Sequence, residues 1–223
     1  MNILVLAPRE IVPEFTSIFS ESEHWYFAES YADIASRLDD ADIVFDLVAD
    51  ESPENLGVYL DRNNLVVFLN IPKTSLAELQ YFTGTSDCTF FGFNGLPTML
   101  GRDKLEVSIL KEEHKSLLEE TCRKLNVDFY LVQDRVGMVT PRVICMIINE
   151  AYYTVQEGTA SRQDIDTAMK LGTNYPMGPF EWCNKMGLEN VYELLEALYN
   201  DSHEERYKIC PLLKREYLLA QDA

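Results

Sequence analysis

The residues of this chain that could do chemistry include one glutamate on a predicted strand and three histidines. Glu106 lies in the apolar run KLEVSIL (104–110), and the histidines are His24, His114 and His203. A histidine paired with a carboxylate can act as a general base on a hydroxyl group. No histidine is close to Glu106 in sequence, and His114 is expected on the surface of a charged helix. Folding could still bring His203, or the His203 of a second copy, close.

Composition excludes several classes of protein. The net charge of −18 over 223 residues argues against a nucleic-acid partner, whose phosphates such a surface repels. No uncharged apolar run reaches the roughly 18 residues of a membrane span. The five cysteines are widely spaced without a CxxC pair, which indicates a reducing, cytoplasmic setting and no metal site.

The elements that must position any site change character along the chain. Helical patterns separate several of the apolar runs in the first half, and such alternation predicts a mostly parallel sheet with both faces covered. Everything after 137 is predicted to be helical, with the domain boundary near 134–137. The strand-like runs are ILVLA (3–7), HWYFA (24–28), DIVFDLV (42–48), LVVFLN (65–70), CTFFGF (88–93) and KLEVSIL (104–110).

The first long helix after 137 has apolar residues all round, so it is predicted to be buried on every side. Asn149 and Glu150 within it are expected to bond across a helix packing or a dimer interface. Ser161, followed by Asp164, resembles a capping box that opens the next helix. Gly172 suits the position just past the end of that helix.

Residues 137–198 contain, in order, the motifs NEA, EG, DIDTAMKLG, PMGPFE and GLENV. This series resembles the helical domain of the L-3-hydroxyacyl-CoA dehydrogenases, including 3-hydroxybutyryl-CoA dehydrogenases, which oxidise a β-hydroxyacyl-CoA with NAD. The resemblance implies a Rossmann-like α/β domain over residues 1–135. It also implies an all-α helical domain over 136–223 that forms a homodimer and closes over an acyl-CoA.

The resemblance also locates the positions of the dinucleotide loop. Its glycines would let the backbone approach a pyrophosphate at a helix N-terminus. Ala7, Arg9 and Val12 stand at those three positions, and the acid expected to bind the ribose falls at Ser30, beside Glu29. Residues 1–103 carry 17 acidic and five basic residues, which gives an anionic cofactor little help. No NAD binding in the usual manner is therefore expected.

The family's catalytic pattern overlays residues 92–107 without a gap. Its histidine falls at Asn94 and its glutamate at Glu106, while its serine falls at Pro72 or Lys73 and its asparagine at Pro141. An amide does not take up a proton near neutral pH, so Asn94 can hold geometry but does not act as a base. Of the four positions, only Glu106 keeps the family's residue.

Two hypotheses follow from this comparison. The first is a family member without dehydrogenase activity and without a cofactor, a homodimeric acyl-CoA-binding or regulatory protein. The second is an NAD-dependent oxidoreductase on 3-hydroxyacyl-CoA, in fatty acid metabolism, with an altered nucleotide loop and an unidentified base. The residues at the glycine, serine, histidine and asparagine positions favour the first.

Overall fold

The computed structural model describes residues 1–19 and 24–221. It divides the chain into two compact units, Met1–Met138 and Val139–Ala223.

The first unit is built on a sheet of seven described strands with the order β2-β1-β3-β4-β5-β6-β7. Neighbouring strands run parallel except for the β5–β6 pair, which is antiparallel. The prediction of a mostly parallel sheet is therefore confirmed. The strands are β1 (Asn2–Leu6), β2 (His24–Ala28), β3 (Ile43–Asp46), β4 (Val66–Asn70), β5 (Thr89–Phe93), β6 (Lys104–Ile109) and β7 (Asp128–Val132).

Both faces of this sheet are covered because successive residues of a strand point to opposite sides. One core contains Val5 and Phe45, and the other contains Leu4 and Val44. The sheet side chains are joined by residues of the flanking helices, such as Phe15 in the first core and Ile34 in the second. The helices of this unit are α1 (Val12–Thr16), α2 (Tyr31–Ala35), α3 (Leu76–Thr83) and α4 (Lys115–Leu125).

The second unit consists of helices around α5, which packs against α6, α7, α8 and α9. Its elements are α5 (Thr140–Gln156), α6 (Arg162–Thr173), α7 (Pro179–Met186), α8 (Leu188–Ser202) and α9 (Pro211–Gln221). The expectation that α5 is buried on every side is wrong within this unit, because the Val143 side chain is 50% exposed. No described helix has the length and apolarity that a membrane crossing requires.

The motif residues of the second unit hold α6 against α7. Asp166 accepts a hydrogen bond from the Phe180 amide (2.8 Å), and Glu181 accepts one from the Gly178 amide (3.0 Å). A Cβ on Gly178 would lie 2.3 Å from Asp166 Oδ1, so this close approach requires glycine. The DID and PMGPFE motifs therefore build the helix pair.

The helix-end predictions were correct at one end of α6 only. Ser161 caps the helix by accepting a hydrogen bond from the Asp164 amide (3.2 Å). The other end is not at Gly172, because α6 continues to Thr173 and closes at Asn174, whose φ is 56°. Asparagine tolerates the left-handed conformation better than most side chains, so it can end a helix as glycine does.

Asn149 fastens the C-terminal tail to α5. Its Nδ2 donates to the Lys208 carbonyl and its Oδ1 accepts from the Cys210 amide, both at 2.8 Å. The Asn149 side chain is buried, and pairing it with two backbone groups of the tail explains an amide in an otherwise apolar helix. Asn149 thus bonds within its own chain. The five cysteines are all free and buried.

Candidate functional site

The parallel strands β1, β3, β4 and β5 all end at one edge of the sheet, which is where open α/β sheets bind their ligands. Arg9 follows β1, Asp46 closes β3, Asn70 closes β4 and Asn94 follows β5. The fold therefore gathers residues from four separated segments at one edge. We call this set, with its near neighbours, the strand-end site.

At the end of β1, the residues at the glycine positions make contacts within the protein. Ala7 is buried and its amide donates to the Ala28 carbonyl at 3.1 Å. The Arg9 guanidinium forms an ion pair with Glu29, the last residue before α2's capping serine. Val12 begins α1 and packs against the core. Glu29 lies beside Ser30, the position of the ribose-binding acid, and it is paired with Arg9.

The loop between β5 and β6 is fastened to α1 by Glu14. Its carboxylate accepts hydrogen bonds from the amides of Thr98 (3.0 Å), Leu100 (3.1 Å) and Gly101 (3.4 Å). Three backbone donors that converge on one point form an anion-binding nest, and here the anion is the protein's own carboxylate. We call this contact the Glu14 latch. It closes the space between α1 and the β5–β6 loop.

Asn94 and Glu106 lie side by side on the antiparallel pair β5–β6. The Asn94 amide nitrogen Nδ2 is 3.5 Å from Glu106 Oε2, and the two backbones are joined by a 3.1 Å hydrogen bond. Asn94 is buried and its Oδ1 accepts from the Leu96 amide at 3.4 Å. The arrangement fixes the amide with its donor towards the carboxylate, which positions groups but moves no proton.

The residues at the serine position are also held by the fold. Pro72 is buried and its carbonyl accepts from the Gly137 amide at 2.7 Å. Lys73 has a side chain that is 9% exposed, and its Nζ lies 3.6 Å from Glu51 Oε1. Pro141 belongs to the second unit, where it lies buried in the first turn of α5.

The described histidines are divided between the two units. His24 begins β2 and His114 immediately precedes α4, while His203 ends α8 in the second unit. Both His24 and His114 lie at the opposite edge of the sheet from the strand ends. Within the first unit, folding therefore brings neither of its histidines to the family's base position.

Sequence reasoning missed Asp46, which is fully buried. Its carboxylate accepts hydrogen bonds from the hydroxyls of Tyr31 (2.8 Å) and Tyr59 (3.1 Å) and from the Val48 amide (3.0 Å). Burial raises the pKa of Asp46 to about 6, although these donors act in the opposite direction. An acid inside the run DIVFDLV was the available signal.

Asp50 was missed as well, and it is the less satisfied of the two acids. Asn70 Nδ2 donates to the Leu47 carbonyl (3.1 Å) and lies 3.4 Å from Asp50 Oδ1, while Asn70 Oδ1 accepts from the Gly95 amide (2.7 Å). The other oxygen of Asp50, Oδ2, is buried and makes no hydrogen bond within the described structure. Burial raises the pKa of Asp50 to about 7, and nearby Lys73 partly offsets this.

The strand-end site offers no metal centre. Over residues 1–19 and 24–221, no group of three or more histidine, cysteine, aspartate or glutamate side chains is arranged to hold a metal ion. The site combines amides and carboxylates with Arg9, Lys73 and the two tyrosine hydroxyls that bond Asp46.

Comparison with known proteins shows which proteins this chain resembles. Residues 137–220 match the family model described as 3-hydroxyacyl-CoA dehydrogenase, C-terminal domain. The chain is 29% identical over 182 residues to a probable 3-hydroxybutyryl-CoA dehydrogenase of Bacillus subtilis, with 78% of this chain and 63% of the relative covered. The helical unit therefore resembles the C-terminal domain of the 3-hydroxyacyl-CoA dehydrogenases.

Two further similarities cover different parts of the chain. The chain is 49% identical over 88 residues to 3-hydroxyadipyl-CoA dehydrogenase of Escherichia coli, which covers 40% of this chain and 18% of that relative. Its fold matches the (S)-3-hydroxybutyryl-CoA dehydrogenase of Ralstonia eutropha with a TM-score of 0.70, at 21% identity, covering 99% of this chain and 93% of the other. The chain spans less than two thirds of the length of the two curated relatives.

The loop after β1 differs from the dinucleotide loop that the family resemblance implies. The glycine positions carry side chains, and Arg9 and Glu14 are both engaged with partners of the same chain. The loop thus lacks the glycines that would let the backbone approach a pyrophosphate.

Proposed function

We propose that this 3-hydroxyacyl-CoA dehydrogenase family member does not carry out NAD-dependent oxidation of hydroxyacyl-CoA. In its place we propose a homodimeric protein that binds an acyl-CoA or regulates a partner. One observation carries the proposal: an amide, Asn94, stands 3.5 Å from Glu106 where the family resemblance calls for a histidine base. A side chain without a proton-accepting nitrogen does not activate a hydroxyl group.

The closed nucleotide region supports the same proposal. Hydrogen bonds to a charged group each contribute about 1.5–3 kcal/mol, so opening the Glu14 latch is costly. The Arg9 cation, which would meet a phosphate in this loop, forms an exposed ion pair with Glu29. The Glu14 latch is therefore the feature that favours a nucleotide region that stays closed.

The dimeric part of the proposal is supported by the surface of the helical unit. Large apolar side chains are exposed there, and Leu171 is 82% exposed. An interface between two copies of the helical unit would cover such side chains. The others are Val139, Val143, Leu218 and Leu219.

Sedimentation velocity in the absence and presence of acetoacetyl-CoA tests this proposal. We expect a dimer for the wild-type chain, and a monomer for Leu171→Glu if that surface forms the contact. Tyr81→Glu is the matched control, because Tyr81 is an exposed apolar side chain of the other unit and should leave the dimer intact. A monomeric wild type that binds no acetoacetyl-CoA at millimolar concentration contradicts the proposal.

A second candidate is an NAD-dependent oxidoreductase acting on a 3-hydroxyacyl-CoA through an altered site. The names of the curated relatives favour it, since both are dehydrogenases. Within the strand-end site it is favoured by Asp50, whose pKa of about 7 and unpaired, buried Oδ2 suit a general base. On this candidate Asp50 replaces the missing histidine, so loss of Asp50 should abolish turnover.

A further inference from the structure

A second cavity lies at the opposite edge of the sheet from the strand-end site. It is bounded by the last turn of α3, the segment that leads into β5, and the residues that follow β6, and its volume is about 210 Å³. Because β5 begins at this edge and ends beside Asn94, the cavity is separate from the family's catalytic edge. We call it the α3 cavity.

The floor of the α3 cavity is apolar. Leu56 and Leu69 are fully buried at its base, and Leu76 and Leu79 line it from α3. The side chains that line an empty cavity lack the dispersion contacts that dense packing supplies. A volume of this size has room for about seven water-sized groups. A small molecule with a hydrocarbon body would restore those contacts.

One polar group of the α3 cavity is buried and unused. His114 lines the cavity, and its Nδ1 has no hydrogen-bond partner within the described structure. Leaving a buried polar atom unpaired is unfavourable, so such an atom in a cavity wall indicates a missing partner. The other ring nitrogen, Nε2, faces Glu113 at 3.9 Å, so Nδ1 is the atom left for a ligand.

The positive charge of Lys111, which lies beside His114, favours a negatively charged head group on a ligand of the α3 cavity. Lys111 also lines the cavity, and its Nζ lies 3.8 Å from the exposed Glu113. A carboxylate at the rim would meet the Lys111 ammonium and could accept a hydrogen bond from protonated Nδ1. The cavity lining also includes one acid, Asp87, in the segment that leads into β5, so a carboxylate is favoured on the Lys111 side of the rim.

We propose that the α3 cavity is a binding site for a short, unbranched monocarboxylate, with the hydrocarbon tail against the leucine floor and the carboxylate at His114 and Lys111. The site is independent of the strand-end site and of the activity proposed for it. Burial of so few atoms sets the scale of affinity at a dissociation constant of about 1 mM.

The test is a titration of the full-length, ¹⁵N-labelled chain with hexanoate, followed by amide chemical shifts. We expect saturable shifts that centre on residues 83–89 and 110–114, and weaker binding by about fivefold in His114→Ala. His24→Ala is the matched control, since His24 is exposed at the start of another strand. Thr83→Phe, which fills the cavity from α3, should abolish the shifts while the remaining spectrum stays unchanged.

Hexan-1-ol provides the comparison for the head group. We expect it to bind at least about threefold more weakly than hexanoate, because it lacks the charge that Lys111 would meet. Equal affinity for the alcohol and the acid would overturn the assignment of a carboxylate ligand. The absence of saturable shifts for both compounds at 10-fold above the expected dissociation constant of about 1 mM would overturn the site itself.

Discussion

Wild-type protein supplied with acetoacetyl-CoA and NADH is expected to show no turnover above the uncatalysed rate. A positioned general acid or base contributes about 10²–10⁴-fold to such a reaction, and Asn94 supplies neither function. The closed nucleotide region adds to this loss, because Glu14 holds the β5–β6 loop on α1. The measurement is NADH oxidation followed at 340 nm with a known dehydrogenase assayed in parallel.

Variants at Asn94, Glu106 and Asp50 show which residues are responsible for the presence or absence of turnover. Asn94→His restores a histidine beside Glu106 but leaves the latch in place, so it should remain inactive. Glu106→Gln should change nothing, because the residue has no base to orient. Turnover by the wild type that disappears in Asp50→Asn and persists in Asp61→Asn would contradict the proposal and establish the oxidoreductase candidate.

The second large effect concerns stability. Asp50→Asn should raise the free energy of unfolding by about 4 kcal/mol at pH 8, because a pKa raised from 3.8 to about 7 corresponds to about three units at 1.36 kcal/mol each. A raised folded-state pKa contributes stability that is present below the unfolded value and lost as the pH rises through 7. The gain should therefore shrink to about 2 kcal/mol at pH 5.

Urea unfolding at the two pH values measures this difference. Asp61→Asn, an exposed aspartate in the same unit, controls for removing one negative charge from an acidic protein and should gain little at either pH. Lys73 keeps Glu51 as a partner in Asp50→Asn, so the variant does not strand a buried cation. An unchanged or lowered stability at pH 8 would show that Asp50 is well solvated or firmly paired in the folded chain.

Much of the fold could be predicted from local pattern, and the failures have physical reasons. Runs such as ILVLA and LVVFLN fell within or beside strands, since a buried parallel strand needs a continuous apolar run. The exposure of Val143 could not be predicted. The apolar pattern of α5 does not show which of its faces the other helices of the unit cover. Asn174 ends the helix that Gly172 was predicted to end, since both residue types tolerate positive φ.

The site was less predictable than the fold. The family positions led to Asn94 and Glu106, which the structure places in contact. The Glu14 latch could not be predicted, because it joins residues more than 80 positions apart through backbone amides that carry no sequence signal. Asp46 and Asp50 were visible as acids at the end of an apolar run. Their importance depends on burial, which only the folded chain shows.

Calorimetric titration of the chain with NADH decides whether the dinucleotide site has been lost. We expect no saturable heat up to about 1 mM NADH, which corresponds to binding weaker than about −4 kcal/mol. Binding with a dissociation constant in the micromolar range would contradict it, and would show that the Arg9–Glu29 pair and the Glu14 latch open for the cofactor.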